Sequence, residues 1–269
     1  AYHNRRDQLF RTINSINQSK YDKKKLEIII VNDCSSEEHD IDDIPRIFTN
    51  INFTILNIKK KQKCWVNSCI PYNIGFSHIK YNKVLIQNPE CYHKGDILVD
   101  INMNLSYNTY LSYACYSINY DQYIKNDYNN IDYLNNKPDY ICNSGWYNHS
   151  TINPKYYHFA NAIFTDKLYE LNGFDERFKN GIGVDDDEFL YRIKKLGLNL
   201  KIIDNPLVLH QWHESIFHYS KISSEEEKKH KLTLFEMNKN ILEENIKKEV
   251  FFNAKYNIYF NKINKTRIV

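Results

Sequence analysis

The chain is short of the residues that punctuate or staple a backbone. Its 269 residues include 7 glycines and 6 prolines, which excludes collagen-like, linker-like and proline-rich readings. Six cysteines, at 34, 64, 69, 91, 115 and 142, form no C-x-x-C pair, so the pattern argues against a disulfide scaffold and a structural zinc site. A reducing compartment is the default. No stretch approaches the roughly 20 consecutive apolar residues of a membrane span, and no apolar signal core opens the chain. A cytoplasmic location and no membrane span are therefore expected. Neither sign of charge dominates: 36 basic against 33 acidic residues leave +3, too little to indicate nucleic acid or a membrane surface as partner. The lysine runs at 23–25, 59–61 and 228–229 have acids nearby and read as solvated faces.

What is present suits a folded α/β protein. Hydrophobic residues make up 42% and aromatics 14% of the chain, enough for a sizeable core. Residues 7–17 space Leu9, Phe10, Ile13 and Ile16 along one helical face, with Asp7 placed to start it. The run 26–31 reads as a strand buried on both faces and stops at the turn formers Asn32-Asp33-Cys34-Ser35-Ser36. A second strand is expected at 51–58, a helix at 71–80 with Gly75 inside it, and a third strand at 83–86. Further along, the pattern predicts a strand at 109–118, a helix at 121–134, a loop at 146–149, a strand at 159–164 and a short helix at 165–171. The spacing of Phe189, Ile193 and Leu196 predicts a helix over 185–196, with acids in its first turn, lysines in its last and Gly197 as the stop. Short strands at 200–203 and 207–209 follow. Ser224 and Glu227 form a capping box ahead of a Lys/Glu-rich helix that runs to about 248. Strands alternating with helices favour a mostly parallel, helix-covered sheet. The economical division is one domain over 1–221 with a helical extension over 222–269, whose apolar stripe permits packing on the domain or dimerisation.

Four clusters can carry chemistry. In an open α/β sheet ligands bind beyond the carboxyl ends of strands, where Asp33 can accept from a base N–H or a ribose hydroxyl, or simply cap a turn. Gln87-Asn88-Pro89-Glu90 ends the third strand; a carboxylate there suits a hard divalent cation, with help from His93, a second strand end or substrate phosphates, or is an exposed turn. Asp185-Asp186-Asp187-Glu188 exceeds what a helix dipole asks for, and crowded carboxylates raise one another's pKa toward that of a base. Gly181 and Gly183 before it permit close approach of a ligand. His210-Gln211-Trp212-His213 follows a strand, and either or both imidazoles can ligate a metal.

Taken in order, these pieces resemble the nucleotide-sugar-dependent glycosyltransferases of family 2, which have the GT-A fold. The opening Ala1-Tyr2-His3-Asn4-Arg5 looks like the family's first nucleotide-binding loop, implying His3, Asn4 and Arg5 as donor contacts. Val31–Ser36 resembles V-[DN]-D-x-S, which implies Asp33 as the uracil or ribose contact, and Tyr72-Asn73-Ile74-Gly75 resembles the N-x-G element, which implies Asn73. Residues 171–178 and 183–192 resemble the G-G-F-D-E and (E/D)-D-x-(D/E)-L-x-x-R segment, and also the C-terminal half of metazoan galactosyltransferases. That implies Asp186 as the catalytic base of an inverting enzyme, with Asp185 beside it and Gly183 and Asp187 lining the substrate. Gln87–Glu90 lies where the family carries D-x-D. Since Gln87 and Pro89 stand in place of the aspartates, Glu90 is the remaining carboxylate for Mn2+ or Mg2+, joined by His210 or His213. Trp146 and Tyr147 are candidates to stack on an acceptor sugar, or to pack. The resemblance implies a UDP-sugar donor and a glycan or glycoconjugate acceptor; the alternative is a catalytically silent nucleotide-sugar binder. It also implies a strand before Ala1, so the chain is expected to be a piece of a longer reading frame.

Overall fold

The computed structural model describes residues 1–139, 143–214, 224–249 and 257–260. Helix α1 (Arg6–Gln18) precedes the apolar run that becomes β1 (Glu27–Asn32); after the short helix α2 (Ile44–Ile47), β2 (Asn52–Asn57) pairs with β1 in parallel. Then come α3 (Cys69–Phe76), β3 (Lys83–Gln87), β4 (Cys91–Lys94), α4 (Ile97–Asn104), β5 (Thr109–Ser117) and α5 (Tyr120–Lys125). The rest is β6 (Gly145–Asn148), β7 (Ala160–Phe164), α6 (Thr165–Glu170), α7 (Asp185–Lys195), β8 (Asn199–His210) and α8 (Glu225–Lys247).

The larger sheet has the order β3-β7-β5-β8-β4, with β6 paired to β5. Among the described residues only β5 and β8 run parallel in it; β3–β7, β5–β7, β5–β6 and β4–β8 are antiparallel. The mostly parallel sheet expected from strand–helix alternation is thus corrected to a mixed one. Alternation constrains connection lengths, not direction: β7 enters between β3 and β5, which point the same way, and reverses relative to both.

Helices cover both faces. The stripe Leu9, Ile13 and Ile16 of α1 packs with Ile30, Ile44 and Phe48, while Ile70 and Phe76 of α3 pack with Leu168, Phe189 and Ile193. Each fully buried side chain of this kind contributes roughly 1.5–3 kcal/mol. Gly75 sits inside α3 for a steric reason: a Cβ there would lie 3.3 Å from Cγ2 of Val31 on β1. Tyr2 runs beside the end of β1, its N–H donating to Val31 O and its carbonyl accepting from Asp33 N–H. An apolar cleft of about 700 Å³ separates β1 from β3, lined by Ile28, Ile30, Val84 and Ile86 and reaching Tyr72 and Asn88.

Other elements differ from expectation. Residues 146–148 are not loop but lie in β6, with both aromatics buried. Helix α5 ends at Lys125, where Asn126 turns left-handed at φ 53°. Strands 200–203 and 207–209 are one strand, whose pairing with β5 skips from Ile203 to Leu207. Neither β4 nor α4 has a period long enough to read in advance. Helix α8 packs on the domain: Ile182 N–H donates to Leu234 O, and Asn238 donates to Gly183 O at 3.1 Å. Among the described residues no helix is long and apolar enough to cross a membrane.

Candidate active site

The acidic run opens α7 behind Val184, a β-branched residue held left-handed at φ 54°. Such a conformation costs of order 1–3 kcal/mol and persists only where surroundings impose it. Each carboxylate that follows has its own partner. Asp185 is buried and accepts from Asn67 Nδ2 at 3.0 Å; burial, with Asp186 beside it, pushes its pKa up to about 6. Asp186 is half-buried and touches Nδ1 of His158. Asp187 accepts from the Tyr157 hydroxyl at 2.7 Å. Glu188 is fully buried and pairs with Arg192 through two 2.7 Å bonds. Its role is to anchor the helix, because Arg192 also donates to the carbonyls of Leu171 and Gly173.

A second cluster forms where β4 pairs with β8, Cys91 opposite His210. This register brings Glu90 to the two late histidines, and ligand atoms of Glu90, His210 and His213 all lie within 4.8 Å of one another. Glu90 is buried, with His210 Nε2 at 3.4 Å and His213 Nε2 at 3.7 Å from Oε1. Arg5 reaches the other oxygen, Oε2, at 2.8 Å. Burial by itself would raise the Glu90 pKa, yet Arg5 and the histidines outweigh it and hold the carboxyl well below its usual range. Burial lowers His213 to about 4, leaving it neutral at physiological pH. His93 stands apart, against Gln87 Oε1 at 2.7 Å.

The third cluster is the loop after β1. Asp33 accepts from the Trp65 indole and from Lys63 Nζ, each at 2.9 Å. His3 Nδ1 lies 2.9 Å from the Asp33 carbonyl, and Asn4 Oδ1 accepts from Ser36 N–H at 2.9 Å. A shared neighbour joins two of the clusters: the Tyr72 phenol feels both Glu90 and Asp186, and its ring lies edge-on to His158 with centroids 4.9 Å apart.

No known sequence family and no curated protein matches this chain. Solved structures do. The mannosyltransferase PcManGT from Pyrobaculum calidifontis, in complex with GDP-Man and Mn2+, has a TM-score of 0.55 at 14% identity, covering 81% of this chain and 56% of its own. S. aureus TarS 1–349 with UDP-GlcNAc has a TM-score of 0.53 at 14% identity, covering 80% and 58%. GalNAc-T7 with UDP, GalNAc and Mn2+ has 0.56 at 14% identity, covering 98% and 54%. The chain has the GT-A fold. It spans a little over half the length of the solved proteins it matches.

On this GT-A scaffold the expected residues fall into two groups. Arg5, Glu90, His210 and His213 come together, as do Asp185, Asp186 and Asp187 at the start of α7. Asn73 is fully engaged elsewhere, donating to Phe174 O and Glu176 and accepting from Phe174 N–H, which ties α3 to the loop before α7. Gly183 faces α8, with Phe235 3.4 Å from where a Cβ would stand. Trp146 packs against Tyr116 and Tyr133, and Tyr147 against His210 with ring centroids 5.0 Å apart. Lys63, Trp65, Asn67, Tyr157 and His158 carry no sequence signal of their own; only the fold brings them to the acids.

Proposed function

We propose that the chain is an inverting glycosyltransferase that moves a sugar from a nucleotide-diphosphate donor, a UDP-sugar first, to a hydroxyl of a glycan or glycoconjugate. The observation that carries the reading is a pair of unlike centres on a GT-A scaffold that share Tyr72 as a neighbour: a run of partnered carboxylates at a helix start, and a carboxylate with two imidazoles at a strand end. The neighbours crystallised with GDP-Man, UDP-GlcNAc or UDP support the donor class.

In this reading Asp186 takes the proton of the acceptor hydroxyl as that oxygen attacks the anomeric carbon. The bond to the diphosphate breaks on the opposite face, its electrons leave with the diphosphate, and the configuration inverts. Asp185, Asp187 and the loop of His3, Asn4 and Asp33 shape the acceptor and nucleotide sides. Glu90, His210 and His213 fit a divalent cation by their donor chemistry, and two imidazoles favour Mn2+ over Mg2+. Such a cation, when bound, supplies electrophilic stabilisation of the departing diphosphate. Arg5 adds a fixed positive charge beside the same carboxylate.

A silent nucleotide-sugar binder is the second reading, supported by Arg5 on Glu90 and by Gln87 and Pro89 at the strand end. The test is a melting-point screen against UDP-, GDP- and dTDP-sugars with and without Mn2+, followed by transfer assays. A ligand specific to the native state raises the midpoint. Asp186→Asn should keep that rise and lose about 10²–10⁴ in turnover. Unchanged turnover in Asp186→Asn removes the base. A midpoint rise without turnover in the parent chain selects the silent binder.

A further inference from the structure

We propose that His158 is the positioning partner of the base, a buried imidazolium that holds the Asp186 carboxylate ionised and aimed. The proposal rests on the reading of Asp186 as base. It starts from the division of partners along the acidic run. Asp185 faces a neutral amide, Asn67, and Asp187 a neutral phenol, Tyr157. Among the described residues Asp186 is the one of the three in an ion pair with a side chain able to carry positive charge. Tyr157 and His158 are consecutive, so one stretch ahead of β7 clamps two consecutive acids of α7.

The imidazole is well placed to impose a geometry. Its side chain is 9% exposed. Tyr72 and Phe174 box it edge-on, with ring centroids at 4.9 and 5.2 Å. Asp186 stays 30% exposed and open to an acceptor. Burial pulls the His158 pKa down, but Asp186 and Asp185 outweigh it and raise it above the ordinary value of 6.5. The other groups around it leave that balance intact. Tyr72 is a phenol pushed far up by burial. Tyr157 engages Asp187 in a hydrogen bond.

The chemical need is specific. Three adjacent carboxylates beside a bound diphosphate repel one another, and a base among them needs a contact of opposite charge to stay aimed at the acceptor. An opposite charge in contact favours the charged form of a carboxyl group. It also leaves one rotamer, which fixes the line from the carboxylate to the acceptor oxygen.

The experiment is the pH profile of kcat/KM for nucleotide release from UDP-GlcNAc or GDP-mannose, whichever is turned over, in the parent chain, His158→Gln and His158→Lys. In His158→Gln the acidic limb should move up by at least one pH unit, with about a tenfold loss at pH values below the parent's midpoint and donor KM unchanged. His158→Lys, which keeps a charge, should bring the limb part of the way back. A limb that stays in place in His158→Gln overturns the proposal, since lost packing alone lowers the melting point without moving it. Asp186→Asn separates the two ideas: if it stays active, the base reading falls; if it is inactive while the His158 limb is unmoved, only the positioning role falls. A second readout needs no turnover and no His158 variant. The His158 imidazole, titrated by nitrogen NMR, should have a pKa above 6.5 in the parent chain and at least one unit lower in Asp186→Asn; equal values refute the pair.

Discussion

Removing the guanidinium of Arg192 is the sharpest stability test of how the active-site helix is held. Arg192 and Glu188 are buried side by side, joined by two 2.7 Å bonds, and the same guanidinium donates to Gly173 O at 2.8 Å and to Leu171 O. Asn245 of α8 adds a 3.3 Å contact to Glu188. Breaking a buried pair by deleting one partner costs about 3–5 kcal/mol, because the remaining charge is stranded. The two orphaned carbonyls act in the same direction, at about 1–3 kcal/mol each where water cannot reach them. These terms overlap, so Arg192→Ala should lose about 4–6 kcal/mol in all. At this chain length that lowers the melting midpoint by roughly 8–20 °C. The double variant Arg192→Met with Glu188→Met should recover much of the loss, since it removes both charges together and fills the volume. Calorimetry at pH 7 reads both. A fall of less than about 3 °C in Arg192→Ala, or a double variant no better than the single, refutes the view that this pair anchors α7.

Three further predictions follow from the same geometry. Glu90→Gln and His213→Ala should each weaken Mn2+ binding at least tenfold, measured by electron paramagnetic resonance of free Mn2+, whereas His93→Ala should leave it within twofold; equal effects at all three positions reject the proposed ligand set. Asp185 binds its proton more tightly in the folded chain, near 6, than in the unfolded one, near 3.8. Its protonation therefore stabilises the fold fully below about pH 3.8, and that stability is lost as pH rises through about 6. Asp185→Asn should then be more stable than the parent by about 1–3 kcal/mol at pH 7 and equal to it at pH 3.5, by urea unfolding at the two pH values; a variant less stable at pH 7 contradicts the raised pKa. Trp65→Phe, which removes the indole N–H that Asp33 accepts at 2.9 Å, should weaken UDP binding severalfold through a reoriented Asp33, read by isothermal calorimetry; unchanged affinity separates Asp33 from the nucleotide.

Legibility tracked the range of the determining interaction. Helices α1 and α7 are readable because their stripes and caps lie within one segment: Leu9, Ile13 and Ile16 in one, Phe189 and Ile193 in the other. Strands β1 and β3 are readable because each is an unbroken apolar run, but burial on both faces is not what they have: Ile28, Ile29, Val84 and Leu85 are only half-buried, beside the cleft between the two strands. β6 is not, since its Gly145-Trp146-Tyr147-Asn148 has neither alternation nor length, and it is a strand because β5 offers an edge. Strand direction is likewise invisible, which is why the sheet is mixed where a parallel one was expected. In the site, Glu90, His210 and His213 could be singled out by residue type and position at strand ends, and the β4–β8 register unites them. Asn73 is singled out by its N-x-G motif, and its amide bonds Phe174 and Glu176, partners that the motif does not reveal. Lone histidines carry almost no pattern, so His158 emerges only from the packing.

The acidic run shows why composition alone could not assign its members. A helix dipole favours negative charge in the first turn but does not distinguish one position from the next. The distinction comes from what meets each side chain: Asn67 from a loop before α3, Tyr157 and His158 from the approach to β7, and Arg192 one turn along the same helix. Those partners differ in charge, so four adjacent carboxylates come to sit in different surroundings and at different depths. Glu188 is neutralised and immobile. Asp185 is buried without a countercharge in contact and holds its proton to about 6. Asp186 alone combines a cationic neighbour with access to solvent. An acceptor hydroxyl needs a carboxylate that solvent can reach and that a charged neighbour holds in line, and among the four that combination occurs once.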